Sequence, residues 1–160
     1  MTTLDDLLVR PFAVDERGRA EPHHVDLCES QSFPSQFCDS TGTGEIEFQR
    51  ARERFLADRA ELARMISARY GMPEKLDIQR YFFDGEGSLD DPGESLFRYM
   101  TDWFFEIELW RVGSRGIVAE AAQYDKELPL QLMLVVGDLG IPAASSSDST
   151  QPFESGSPRP

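Results

Sequence analysis

An α+β fold, with a long N-terminal amphipathic helix packed on an antiparallel β-meander of about four strands, is what this sequence predicts, on three observations. Residues 45–70 carry apolar side chains at helical spacing. Beyond residue 75, short runs alternate apolar and polar residues at the two-residue period of strands. The last three runs are separated by turn-length segments, "GSRG" and "DKE", too short for a crossover helix, so neighbouring strands must run antiparallel.

Residues 1–44 read as an irregular arm. From Pro11 to Gly44 the chain mixes Pro, Gly and Ser with brief apolar stretches of no fixed period, and Phe12, Val14, Phe33 and Phe37 are its means of draping over a core. The helix follows, with Phe48, Ala51, Phe55, Leu62 and Ile66 three, four or seven residues apart. Thr43 is placed to cap its start, and Gly71 to take the left-handed position at its end, before Pro73. Glu47 with Arg50, Arg54 with Asp58 and Glu61 with Arg64 have the spacing of ion pairs on a solvated helix face.

The first predicted strand spans Lys75–Phe83, with Leu76, Ile78 and Phe82 alternating against Asp77, Gln79 and Tyr81. "DGEGSLDDPGES" ends it, and "ESLFRYM" fits a short helix or a strand. The meander follows as Trp103–Val112, Ile117–Tyr124 and Leu128–Val136. The third of these is apolar on both faces apart from Gln131, as in a central or covered strand. Residues 45–139 thus make one α+β domain, and residues 140–160 a Ser- and Pro-rich tail expected to be disordered.

Charge narrows the function. The 160-residue chain carries a formal net charge of -13. Residues 1–80 hold eleven basic and fifteen acidic side chains, and residues 81–160 five and fourteen, so the second half carries most of the negative field. Such a field repels phosphate backbones and anionic membrane surfaces, which argues against nucleic-acid and membrane binding. Met1–Arg10 lacks the positive charge and apolar stretch of a signal peptide, and the expected location is cytoplasmic. Fourteen of the sixteen basic residues are Arg, the usage of a GC-rich bacterial genome.

The candidate site is the run "DWFFEIELWRVG". Strand alternation puts Trp103, Phe105, Ile107 and Leu109 on a core face, and Phe104, Glu106, Glu108, Trp110 and Val112 on the other. In the next strand Ile117, Ala119 and Ala121 oppose Val118, Glu120, Ala122 and Tyr124, and the two acidic faces are expected to coincide. The result is a carboxylate cluster of Glu106, Glu108 and Glu120, edged by Phe104, Trp110 and Tyr124. Like charges side by side cost stability, and aromatic residues are enriched at interfaces, so these six residues read as a partner-binding surface.

Other chemistry finds little support. Glu106 and Glu108 lie roughly 7 Å apart on a strand, a spacing that glycoside hydrolysis could use, but an open sheet face offers no cleft and no raised pKa. His23, His24, Asp26, Cys28 and Cys38 include the transition-metal ligand types without any zinc spacing, and the two cysteines are expected as reduced thiols. Asp84, Glu86, Ser88 and Asp90 alternate like calcium ligands, but Leu89 and Ser95 stand where an EF-hand needs Gly and a bidentate acid. "GTGE" lacks the Lys and the spacing of a phosphate loop.

The expected function is therefore a small non-catalytic inhibitor, immunity-type protein or adaptor that presents an acidic face to a basic protein, with no cofactor and no metal. The alternative is a small enzyme or ligand carrier with a pocket between helix and sheet, lined by Tyr70, Arg80, Tyr81 and Arg98. A structural subunit of a larger assembly would instead show a broad apolar patch.

Overall fold

In the computed structural model, which describes residues 2–32, 43–83, 93–125 and 128–140, the chain runs α1 (Thr2–Val9), β1 (His23–Glu29), α2 (Thr43–Tyr70), β2 (Glu74–Asp77), α3 (Arg80–Phe83), α4 (Glu94–Met100), β3 (Glu106–Val112), β4 (Arg115–Ala122) and β5 (Gln131–Asp138). The strands form one antiparallel sheet in the order β1-β5-β4-β3-β2. The class is the predicted α+β, with five strands rather than about four. No helix among the described residues is long and apolar enough to cross a membrane.

Both faces of the sheet are covered. On one face α2 lays Phe55, Leu62 and Ile66 over Trp110, Ile117, Ala119, Leu132 and Leu134, and α1 adds Leu4 and Leu7. On the other face α3 and α4 pack Tyr81, Leu96, Phe97 and Met100 against Ile107, Leu109, Val118, Met133 and Val135. With helices on both sides β5 is buried from Leu132 to Gly137, which explains its apolar character on both faces.

The segment read as an irregular arm supplies two of these elements. "HHVDLCE" has no alternating apolar pattern, yet it forms β1 because β5 offers it a free edge for backbone pairing, from His23 opposite Val136 to Glu29 opposite Gln131. A register shift between Asp26 and Cys28 then bends the exposed end of that edge. The predicted strand Lys75–Phe83 is shorter, since Asp77 accepts a hydrogen bond from the Gln79 amide at 2.9 Å and starts the turn into α3. "ESLFRYM" resolves to helix α4. The run proposed for calcium and the tail beyond residue 140 lie outside the described residues, apart from Gly93, Glu94 and Ser95.

The β3–β4 turn sets the register and corrects the expected faces. Gly113 has φ 60° and no other described residue of that turn has positive φ, which is the type II′ arrangement for a two-residue hairpin. A two-residue turn closing Val112 on Arg115 pairs even-numbered residues with odd ones: Trp110 with Ile117, and Leu109 with Val118. The face of Glu108 and Trp110 therefore coincides with that of Ile117 and Ala119. Chemical likeness between the two acidic faces predicted otherwise, and loop length decides the matter.

Candidate functional site

Helix α2 sets Arg59 between Phe55 and Leu62, on the stripe that faces the sheet. Beneath it β3 and β4 part: their ladder holds only from Val112 and Arg115 to Leu109 and Val118, and toward Glu106 β3 pairs with β2 alone. Register alone would send Glu120 toward α4, because it lies opposite Met133 of that core. The gap between the strands lets its carboxyl turn the other way, where it accepts the Glu108 backbone amide and meets Arg59.

The result is a two-carboxylate clamp on one guanidinium. Arg59 donates Nη2 to Glu108 Oε2 at 2.7 Å and to Glu120 Oε1 at 2.9 Å, and Nε to Glu120 Oε2 and the Ala119 carbonyl, both at 3.1 Å. The three side chains are 20%, 24% and 14% exposed for Arg59, Glu108 and Glu120, enough burial for screening by water to be weak. Burial pushes the Glu120 carboxyl above its ordinary value against the pull of Arg59. Burial also works to lower Arg59, but its hydrogen bonds and charge contacts with Glu120 and then Glu108 outweigh this and hold it above its ordinary value.

Beside the clamp, a cleft of about 410 Å³ opens between α2 and the β2–β3 edge, lined by Asp77, Glu106, Glu108 and Glu120 with Arg59 and Lys75, while Leu76 and Ile107 border it from the sheet with their side chains packed into the α4-side core. Four carboxylates thus face two cations, one of which is already shared by two of the acids. Glu106 is exposed, and its carboxyl makes no ion pair or hydrogen bond with a described residue.

Of the six residues expected on one acidic, aromatic-edged face, the structure brings three together. Glu106, Glu108 and Glu120 line the cleft. Trp110 does not edge it: the indole is 1% exposed under α2 and donates Nε1 to the Ser67 hydroxyl at 3.0 Å. Phe104 packs on the opposite side of the sheet against the α4 core. Tyr124 is exposed beyond the end of β4, its ring 6.0 Å from Trp103. The open sheet face is therefore a covered one, and what it leaves is a cleft at its edge.

Arg59, Lys75 and Asp77 are the site residues that strand reasoning misses. Arg59 left a signal: it stands four residues after Phe55 and three before Leu62, an arginine at an apolar-stripe position. The other expected pocket residues are dispersed. Arg80 and Tyr81 line a separate cavity of about 200 Å³, Arg98 a third, and Tyr70 packs near α1. Cys28 is a free, exposed thiol, and among the described residues no three His, Cys, Asp or Glu side chains converge as metal ligands. Cys38 lies outside those residues. No family model, curated protein or solved structure matches the chain, and the site rests on its own geometry.

Proposed function

We propose that this chain is a protein-binding domain, an inhibitor, immunity-type protein or adaptor, whose acidic cleft takes a basic side chain presented by a partner. The cleft is read as a binding site because Glu108 and Glu120 are already held by Arg59. The observation that carries this reading is the excess of carboxylates over cations around the cleft, with Glu106 left free to meet an incoming Lys or Arg. The chain's charge of -13 adds long-range attraction for a basic partner.

The test is affinity capture from cells of origin, comparing the wild type with the double reversal Asp77→Lys and Glu106→Lys. Glu108 and Glu120 are left in place because they hold Arg59. A partner with a basic surface is expected on the wild type, weakened by salt and lost on the variant. If the same proteins are captured equally by both, the reading is wrong.

A second reading, a small-ligand carrier, draws on the position of the cleft between helix and sheet. Its ligand would be a small amine or guanidine, and calorimetric titration with free arginine and spermidine separates the two: the carrier reading needs saturable binding without any partner protein.

A further inference from the structure

Both histidines of the chain lie in β1, and one of them meets a hydroxyl. Tyr99, on α4, donates its hydroxyl to His24 Nδ1 at 2.6 Å, and His24 Nε2 donates to Asp26 Oδ1 at 2.9 Å. The two bonds define one tautomer, with the imidazole proton on Nε2 and the lone pair of Nδ1 turned to the phenol. Hydroxyl, base and orienting carboxylate stand in the order that nucleophilic catalysis uses. Trp103 holds the assembly from the side, its ring 5.1 Å from Tyr99 and 6.1 Å from His24.

Tyr99 also lines a cleft of about 260 Å³ with Ser95, Arg98, Asp102 and Arg19. Arg19 is tied to Asp15 at 2.8 Å, and Arg98 Nη2 to Glu94 at 2.7 Å. Arg98 Nε is buried without a hydrogen-bond partner among the described residues. Burial, followed by the charges of Asp26 and Asp102, holds the Tyr99 phenol above its ordinary value, so at rest it is a neutral hydroxyl that needs a base.

We propose that Tyr99 is a base-activated nucleophile toward small uncharged esters seated in this cleft, with His24 as its general base and Asp26 as the residue that positions His24. Phosphate esters are disfavoured by the chain's charge and by the Glu21 and Asp102 carboxylates on the cleft wall. In the reaction the Tyr99 oxygen bonds to the ester carbonyl carbon while its proton passes to His24 Nδ1. The imidazolium is stabilised by its hydrogen bond to Asp26. Collapse breaks the ester C–O bond, the leaving alcohol takes the proton back from His24, and an acyl-tyrosine remains. This site is separate from the acidic cleft and does not depend on the partner-binding reading.

The experiment treats the full chain with p-nitrophenyl acetate and reads p-nitrophenolate release together with the acetylated peptide by mass spectrometry. Acetylation is expected at Tyr99 ahead of the exposed Tyr124. Tyr99→Phe, which keeps the ring packing, abolishes that adduct, and His24→Ala slows it by roughly 100-fold, the scale of a lost general base. His24→Gln, which keeps a hydrogen-bonding partner for the phenol but supplies no base, slows it as much, which a merely structural histidine would not show. Acetylation no faster at Tyr99 than at Tyr124, or a Tyr99 rate indifferent to His24, overturns the proposal.

Discussion

Arg59 of α2 and Glu120 of β4 meet through two parallel hydrogen bonds, Nε to Oε2 at 3.1 Å and Nη2 to Oε1 at 2.9 Å, the paired geometry that a guanidinium and a carboxylate prefer. Glu108 shares the same Nη2. One positive charge thus neutralises much of two negative ones beneath a helix, and removing it leaves two part-buried carboxylates facing each other.

Arg59→Met keeps the aliphatic volume and removes the charge. Breaking a fully buried pair costs about 3–5 kcal/mol, and the partial exposure of these groups brings the expected loss to about 2–3 kcal/mol at neutral pH. Urea denaturation measures it. Adding Glu108→Gln and Glu120→Gln to the same chain should return most of the loss, since the uncompensated charges are then gone.

The pH dependence carries opposite signs in different parts of the molecule. Glu120 has a folded pKa raised above its unfolded value of 4.5, chiefly by burial, so the folded state holds that proton more tightly. Its contribution to stability therefore falls as pH rises from the unfolded value through the folded one, and recovers on acidification. Asp15 is lowered first by the Arg19 backbone amide, and Glu61 by its hydrogen bond to Arg64. Their stabilisation is present above their unfolded values and is lost as pH falls through their folded ones. Urea midpoints followed from about pH 7 down to about pH 4 should show the wild type gaining on Glu120→Gln. A constant difference between the two would show that Glu120 carries no raised pKa.

Ser67→Ala tests a polar contact inside the α2-side core. The Trp110 indole N–H has the Ser67 hydroxyl as its acceptor and is sealed from water. Leaving it unpaired should cost about 1–3 kcal/mol in a thermal or denaturant melt, far more than Ser to Ala on an exposed helix face.

Gly137→Ala is expected to destabilise through crowding. A Cβ there would stand 2.5 Å from Leu96 Cβ, and Leu96 is fully buried between α4 and β5. The expected loss is about 1–3 kcal/mol. Leu96→Ala removes the Cγ and Cδ1 that would stand 2.9 Å away but keeps the Cβ, so it should relieve only part of the crowding and cost somewhat less on the Gly137→Ala background than on the wild type.

Legibility followed the strength of each local pattern. Helix α2 is plain in the sequence because Phe48, Phe55, Leu62 and Ile66 keep one face and Gly71, with φ 88°, closes it. The strands β3 and β4 are plain because alternation and a short turn act together, and β5 because it is a continuous apolar run of strand length. β1 is not, because its pairing with β5 is a backbone transaction between residues more than a hundred positions apart, and "HHVDLCE" shows no trace of it. The glutamates of the cleft can be named from sequence, but their partner Arg59 looks like one more charge on a charged helix. Only the stripe position of Arg59 distinguishes it. The Asp26, His24 and Tyr99 chain is beyond sequence reasoning, since it forms where β1 and α4 meet over the sheet.

The strand order has a consequence for how the molecule comes into being. β5 lies between β1 and β4, so an interior strand is the last of the five to leave the ribosome. Until Asp138 has emerged, β1 has no edge to pair with, and Leu4, Leu7 and Ile66 have no Leu134 or Val136 to cover. Closing contacts over such a span costs chain entropy before it returns any pairing. The nascent chain must therefore carry β1 unpaired until β5 has emerged, and the sheet completes in a step that joins the two ends of the fold.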